Sequence, residues 1–192
     1  MVDGWQLDEL AGKLVRLREP RLDDLDAFVA FADSDGDRLA GETNLPRTAD
    51  QSRRWLDDLL TRPRDDDTAF LVLESAEGAV AGSVSVNRAN RRHGRFSYGI
   101  ALFPPFRRRS IGSEAIVLLL RFYFGELRYQ RCETEIYAFN DASLALHEKL
   151  GFVVEGRRRR ALFTQGEFHD IVTVAMLREE FADRHGLLAS SP

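Results

Sequence analysis

The chain has 192 residues, 44% of them hydrophobic and 30% charged, a composition typical of a globular protein with a buried core. Its formal net charge is −4, which argues against a general attraction to nucleic acid or to an acidic membrane. The single cysteine, Cys132, excludes an internal disulfide framework and a zinc site of clustered thiolates. With no signal segment evident and no apolar run beyond residues 115–120, we expect no membrane span and a cytoplasmic location.

Hydrophobic periodicity predicts one domain in which short strands and amphipathic helices alternate irregularly. The predicted strands are residues 13–18, 68–73, 79–87, 95–103, 130–139, 152–154 and 171–176. The predicted helices are residues 21–33, 48–60, 110–124 and 141–150. Several strands lie between the second and third helices, so this order indicates an α+β protein rather than regular βαβ units. Within the single domain, 1–192, the core is expected at 13–178, between a leader at 1–12 and a tail at 179–192.

Residues 103–115 carry the first chemical signal. A predicted strand ends there, a loop with three consecutive arginines follows, and a turn of small residues opens a buried helix. The first N–H groups of a helix have no internal partners and lie at the positive end of its dipole, so small side chains let an anion approach them. Arg107, Arg108 and Arg109 add positive charge at the same end. The segment therefore predicts a pyrophosphate site, although it is neither a P-loop nor a dinucleotide fingerprint.

This loop resembles the coenzyme A loop of the GNAT N-acyltransferase superfamily, whose pattern is Gln/Arg-x-x-Gly-x-Gly/Ala. Arg107 matches the first position and Gly112 the last, while Ser110 stands where the first glycine is usual. Ser110 must keep its N–H accessible without a glycine's freedom at positive φ. A second segment, residues 140–152, resembles the family motif Asn-x-x-Ser…Tyr-x-Lys-x-Gly-Phe and follows one strand after the loop helix.

Together the two motifs imply the GNAT fold, a central, mixed and mostly antiparallel sheet flanked by about four helices. Segments 155–157 and 166–170 resemble the branch of ribosomal-protein-alanine (RimJ/RimL-like) acetyltransferases. The resemblance implies acetyl-CoA as co-substrate, an amine acceptor and no metal. Backbone N–H groups of residues 100–102 are expected to polarise the thioester oxygen. The implied cofactor-binding residues are Ile100, Ala101, Leu102, Arg107, Arg108, Arg109, Ser110, Ile111, Gly112, Ser113, Asn140, Ser143 and His147.

His147 is the candidate catalytic residue. It follows Asn140 by seven positions and Ser143 by four, so these three side chains are expected to share the cofactor face of one helix. Family members often carry Tyr at this position, where it is thought to protonate the leaving thiolate. An imidazole has an ordinary pKa of about 6.5 and can supply that proton. The apolar residues of the helix are expected to face the body of the protein: Ala142, Ala145, Leu146 and Leu150.

Several roles stay open at the level of sequence. Arg95 occupies a position where related enzymes often place a carboxylate, so the general base is left between Glu74, Glu133, Glu135 and a water chain. Tyr98 is expected in the core or in the acceptor groove. The aspartates between residues 23 and 37 either favour a cationic acceptor or form a solvated face.

The predicted function is transfer of an acetyl group from acetyl-CoA to a primary amine, by direct attack in a ternary complex, in a monomer or homodimer. A protein N-terminus, a small amine, an antibiotic and an amino acid are all compatible acceptors. One alternative is a catalytically degenerate acyl-CoA-binding regulatory module, which Ser110, Arg95 and His147 would favour. The other is an RNA-binding protein that uses arginines 107–109 and 157–160, against which the net charge and the lack of interleaved aromatic residues argue.

Overall fold

The computed structural model describes residues 10–32, 48–62 and 67–187. The predicted loop at 34–46 and most of the leader lie outside these described residues. The strands are β1 (Val15–Arg18), β2 (Ala69–Ser75), β3 (Val80–Asn90), β4 (Arg95–Leu102), β5 (Arg131–Tyr137), β6 (Val153–Thr164) and β7 (Glu167–Leu177). They form a seven-stranded sheet in the order β1-β2-β3-β4-β5-β7-β6. Neighbouring strands are antiparallel except β4 and β5, which run parallel.

The helices confirm the α+β pattern. They are α1 (Leu25–Ala32), α2 (Ala49–Thr61), α3 (Ile111–Arg121), α4 (Asp141–Leu150) and α5 (Arg178–His185). Thr48 caps α2 by accepting the N–H of Gln51 at 3.2 Å, and Gly151 ends α4 with φ of 99°, as the sequence predicts. In the part of the chain that the structure describes, no helix is long and apolar enough to cross a membrane.

The main core lies on one face of the sheet, against α3 and α4. Phe96 of β4 stacks on Tyr123 at 4.5 Å between ring centroids, and Leu119 and Leu120 of α3 are almost fully buried. The opposite face is covered only in part. There α2 packs Trp55 edge-to-face on Phe70 of β2 at 5.6 Å. In the described part of the chain, side chains of β4 and β5 on that second face, such as Arg95 and Glu135, are exposed.

The last two strands are much longer than the sequence predicts. Residues 155–170 do not merely join two short strands, because β6 and β7 continue to a tight turn at Gln165 and Gly166, with φ of 53° and 84°. The arginine-rich strand is exposed on both sides, so its sequence lacks the apolar alternation that marks a strand. The predicted tail also differs, because α5 forms there and buries Phe181 against Phe124 at 5.6 Å.

Two aspartates, Asp24 and Asp67, are held in ion pairs. Asp67 accepts hydrogen bonds from Arg91 and from the hydroxyl of Tyr129, and its side chain is 11% exposed. The bond from Arg91 lowers the pKa of Asp67 below its usual value. Burial alone would raise the pKa of Asp24, but hydrogen bonds from Arg18 and the Arg21 N–H lower it. Asp24 therefore does not belong to an open acidic field around α1.

Candidate active site

A gap opens between the two parallel strands of the sheet. Residues 95–97 of β4 pair with residues 131–133 of β5, and beyond them the strands are not paired although both continue. Along β4, the N–H of Phe103 binds β3, whereas the carbonyls of Tyr98 and Leu102 accept hydrogen bonds from Thr134 and Arg107. Because backbone groups alternate sides along a strand, those of Ile100 face the gap. A backbone donor and acceptor are thus available to an extended ligand.

The predicted anion site lies at one end of this gap. A short 3-10 turn, Pro104–Phe106, follows β4, and the loop then enters α3 through Ser110. Arg108 and Ser110 both have positive φ, 60° and 61°. Ser110 makes no side-chain cap, so the first N–H groups of α3 are left for a ligand. A backbone that alternates in this way at the positive end of a helix dipole is typical of loops that bind phosphates.

One cavity of about 560 Å³ joins the loop, the end of β4 and one side of α4. Most of the predicted cofactor residues line it, namely Ile100, Ala101, Leu102, Arg107, Arg108, Ser110, Gly112, Ser113, Asn140 and Ser143. Phe31, Ala142, Ala145, Leu146 and Lys149 also line it. Among these described lining residues three are cationic and none is a carboxylate. A long ligand with an anionic end and an apolar arm fits such a wall.

Three predicted cofactor residues, Arg109, Ile111 and His147, do not line this cavity. Ile111 is buried in the core, 5% exposed, and Arg109 is exposed on the outer side of the loop. Phe31 and Lys149 line the cavity but are not among the residues predicted from the sequence. Lys149 lies seven residues after Ala142 and thus on the same helix face, a signal that spacing could have given. Phe31 comes from α1, about seventy residues before the loop, and no local pattern marks it.

The cavity-facing side of α4 differs from the expected one. Ala142, Ala145 and Leu146, expected to face the protein body, line the cavity together with Ser143. Leu150 faces the core as expected, 5% exposed, but His147, expected on the cofactor face, is also buried there, 1% exposed. The helix is therefore rotated relative to the expectation, and its cavity side combines small apolar residues with Ser143 and Lys149. Such a surface suits the methylene and amide groups of a pantetheine arm.

His147 is consequently not a wall residue of the cavity. Its Nε2 lies 2.8 Å from the hydroxyl of Tyr98, and its Nδ1 lies 2.7 Å from the carbonyl oxygen of Ser143. Burial lowers the pKa of His147, and the bond to the Ser143 carbonyl only partly opposes this. The geometry gives no direct path from the imidazole to a thiolate in the cavity. The catalytic role assigned to His147 from the sequence stays a prediction.

The candidate bases lie in different places. Glu133 and Glu135 belong to β5 and extend over the open face beside the gap, since Cys132, Thr134 and Ile136 point into the core. Glu133 pairs with Arg131 at 3.5 Å, and Glu135 pairs with Arg158 and with Arg88. Glu74 sits two strands away from β4, bound to Arg18 at 2.6 Å. Glu133 and Glu135 are therefore better placed beside the gap than Glu74.

Nothing in the described ranges suggests a metal centre. Within residues 10–32, 48–62 and 67–187, no group of three or more His, Cys, Asp and Glu side chains could hold a metal ion. The buried thiol of Cys132 has a pKa raised well above its ordinary value by burial, so it is a poor nucleophile.

A parallel pair that splits, with an anion site at the mouth of the gap, defines an acyl-CoA-binding acyltransferase architecture. Comparison with known families agrees, because the family described as "Acetyltransferase (GNAT) domain" matches residues 15–153. The chain belongs to this GNAT family and is an acetyl-CoA-dependent N-acetyltransferase. The resemblance predicted from the two motifs is confirmed.

The relatives support this assignment. YokL of Bacillus subtilis (strain 168), named a prophage-derived uncharacterized N-acetyltransferase, is 35% identical over 175 residues, 91% of this chain and 96% of YokL. YdaF of the same organism, whose name gives ribosomal N-acetylation as its provisional activity, is 27% identical over 55% of this chain and 57% of its own. The crystal structure of spermidine N-acetyltransferase from Vibrio cholerae with CoA and spermine has a similar fold, with a TM-score of 0.77 and 19% identity. That alignment covers 88% of this chain and 99% of the other.

Proposed function

We propose that the protein transfers an acetyl group from acetyl-CoA to a primary amine, a protein N-terminus or a small amine, by direct attack within a ternary complex. One observation carries the proposal: a single cavity is lined by the cationic loop before α3, by the part of β4 beyond its paired residues and by α4. A coenzyme A molecule with its pyrophosphate at residues 107–113 would extend its pantetheine arm between β4 and α4. The thioester would then lie in the gap, next to the backbone of Ile100.

The proposed reaction needs no acyl-enzyme. The neutral amine nitrogen attacks the thioester carbonyl carbon, and the carbonyl oxygen becomes an oxyanion that the Ile100 N–H stabilises. The C–S bond then breaks, coenzyme A leaves as a thiolate that takes up a proton, and the amine nitrogen loses one. Holding both reactants in line supplies much of the rate. The acceptor would enter from the open face, past Glu133 and Glu135.

The cofactor site is tested with Gly112→Val. A Cβ at Gly112 would lie 3.0 Å from Cδ1 of Leu102 and 3.6 Å from Cδ2 of Leu146, so the larger side chain fills the cavity where the phosphates approach. The added methyl groups occupy space that the phosphates need, so we expect acetyl-CoA affinity, measured by calorimetry, to fall about tenfold to a hundredfold, or about 1.4–2.8 kcal/mol. The control is Gly156→Val, since a Cβ there meets nothing within 4 Å. Equal affinity in the two folded variants would contradict the proposed site.

The acceptor is tested by following coenzyme A release and product mass with two separate pools of amines. One pool holds peptides with free N-termini and the other holds polyamines and small monoamines. We expect product in one pool, at a rate that Gly112→Val lowers. The absence of a new acetylated product in both pools, with acetyl-CoA bound, would refute the proposed transfer and favour a regulatory acyl-CoA-binding role.

A further inference from the structure

Tyr98 is held at both ends at the point where β4 leaves β5. It is the first residue after the last paired position, Ser97 with Glu133. Its carbonyl oxygen accepts a hydrogen bond from Oγ1 of Thr134 at 2.8 Å, so a side chain replaces the missing backbone bond between the strands. Its hydroxyl reaches across the core to Nε2 of His147 at 2.8 Å. Both Tyr98 and His147 are almost fully buried, 4% and 1% exposed.

The direction of these hydrogen bonds follows from the partners. The carbonyl oxygen of Ser143 can only accept, so Nδ1 of His147 carries the hydrogen at 2.7 Å. Since burial keeps the imidazole neutral, Nε2 has a lone pair and the Tyr98 hydroxyl donates to it. Both groups thus donate their hydrogens to acceptors inside the protein, His147 to the Ser143 carbonyl and Tyr98 to His147. This pair is therefore built to hold a position rather than to supply a proton.

The contact between Tyr98 and His147 joins the two walls of the cofactor cavity. Ile100, on one wall, is two residues after Tyr98 in the same strand, and Leu146, on the other wall, directly precedes His147. Phe152 packs against both rings, with centroids 6.3 Å from Tyr98 and 5.0 Å from His147. The distance between β4 and α4 is thus set by one buried hydrogen bond and the aromatic packing around it.

We infer that Tyr98, Thr134 and His147 act as positioning residues that fix where β4 separates from β5 and how far its backbone lies from α4. Thr134 fixes the branch point on the β5 side, and His147 fixes the spacing on the α4 side. The inference rests on the proposed function for its effect on turnover, because the thioester would lie between these walls. Small displacements of a reacting group can cost up to about a hundredfold in rate.

The test uses Tyr98→Phe and Thr134→Val, each of which removes one hydroxyl and keeps the shape of the side chain. We expect the kcat for acetyl transfer to fall about tenfold in each, while the affinity for coenzyme A changes less than about threefold, because the loop before α3 is untouched. Thr134→Ser, which keeps the donor, is expected to restore most of the kcat. The control is Tyr123→Phe, which also removes a buried tyrosine hydrogen bond, to the carbonyl of Asp67 at 2.6 Å, but lies away from the cavity. It is expected to lower stability without lowering kcat.

A second measurement does not depend on turnover. Amide hydrogen exchange at Gly99 and Ala101, whose N–H groups lie on the β3 side of β4, is expected to be about tenfold faster in Tyr98→Phe, with exchange at Val84 in the core of β3 unchanged. If no acceptor is found, the proposed function fails, whereas this exchange result still judges the inference. Wild-type kcat and wild-type exchange in both hydroxyl-deletion variants would overturn it.

The pH profile separates positioning from proton donation. The titratable group that the structure places against the pair is the thiol of Cys132, and burial raises the pKa of both Cys132 and Tyr98 well above their ordinary values. Positioning therefore predicts that His147→Gln lowers kcat without removing any limb of the kcat profile between about pH 6 and 9. The loss of a limb in that variant would instead identify His147 as the proton donor and overturn the inference.

Discussion

Ser110 adopts a backbone conformation that is costly for an L-amino acid. Its φ is 61° and its ψ is 0°, at the N-cap of α3. The left-handed conformation costs non-glycine residues roughly 1–2 kcal/mol. The chain tolerates this cost at the residue that turns the loop toward the first N–H groups of the helix. From the sequence, only the departure from a usual glycine hinted at this strain.

Ser110→Gly is therefore expected to stabilise the protein. Glycine relieves the strain but loses more backbone entropy on folding, so the free energy of unfolding should rise by about 0.5–1 kcal/mol. Urea denaturation measures this change. Ser113→Gly, one turn into the same helix, should instead lower the free energy of unfolding by about 0.5 kcal/mol. Two changes of the same sign would contradict the strain at Ser110.

His147 links stability to pH. Its pKa is lowered in the folded protein, mainly by burial, so the unfolded chain binds the proton more readily. The free energy of unfolding should therefore fall as the pH drops below about 6.5, the ordinary pKa of an imidazole. Asp67 and Glu155 have lowered pKa values in the folded state, so their stabilising effect is lost only at more acidic pH. The two effects thus occupy different pH windows.

The measurement is thermal or urea unfolding between about pH 5 and 8, for the wild type and for His147→Gln. The slope of stability against pH in this window should flatten in the variant. His93, which is exposed in the turn between β3 and β4, provides the control as His93→Gln. A slope that persists in His147→Gln and disappears in His93→Gln would show that His93, and not His147, links stability to pH.

At the scale of elements, Glu114 of α3 binds the backbone of the segment that leads into β1. Its carboxylate accepts the N–H groups of Lys13, Leu14 and Val15, at 3.0, 2.6 and 3.0 Å. These three donors belong to the entry into β1, an edge strand with one neighbour in the sheet. A side chain from the first turn of α3 thus replaces a missing strand partner.

Glu114→Ala should lower the free energy of unfolding by about 2 kcal/mol, because three donors lose a charged acceptor and can only partly recover with water. Amide exchange at Lys13, Leu14 and Val15 should accelerate more than exchange in β3. Glu148→Ala, an exposed position in α4, should change stability by less than about 0.5 kcal/mol. If the two variants were equally stable, the bonds from the N-terminal segment would contribute nothing measurable.

The orientation of α4 shows what a sequence pattern leaves undecided. Its helical period was predictable, and so were the cap at Asn140 and the end at Gly151. The sequence of α4 has two stripes of residues, one polar and one of small apolar residues. Periodicity alone does not show which of them faces the ligand. The hydroxyl of Tyr98, from a strand more than forty residues earlier, satisfies His147 in the core and so decides it.

The loop before α3 was predictable because its chemistry is local. Arginines, small residues and a helix start lie within a few positions of one another, and the structure brings most of them to one cavity. The length of β6 was not predictable, since a strand exposed on both faces has no apolar alternation to mark it. Phe31 was also beyond reach, because only the folding of α1 over β4 brings it there.

On the scale of the whole molecule, the short parallel contact divides the sheet into two antiparallel groups of strands. The strands from β1 to β4 pair only with their neighbours in sequence, and β5, β7 and β6 form a second antiparallel group. Among the described residues, backbone hydrogen bonds join β4 to β5 at residues 94–97 and 130–133. The cationic loop belongs to the first group and α4 to the second. The cavity therefore lies across the boundary between the two groups, which we call the seam.

This seam makes the protein a natural candidate for fragment complementation. If the chain is divided between Leu127 and Arg128, after α3 and before β5, each antiparallel group of strands stays intact on its own polypeptide. Coenzyme A would then bridge two separate molecules, and at a hundred times its dissociation constant it should tighten their association by about a hundredfold, or about 2.7 kcal/mol. The cofactor would act as a chemical dimeriser, and reassembly of the halves would report its concentration.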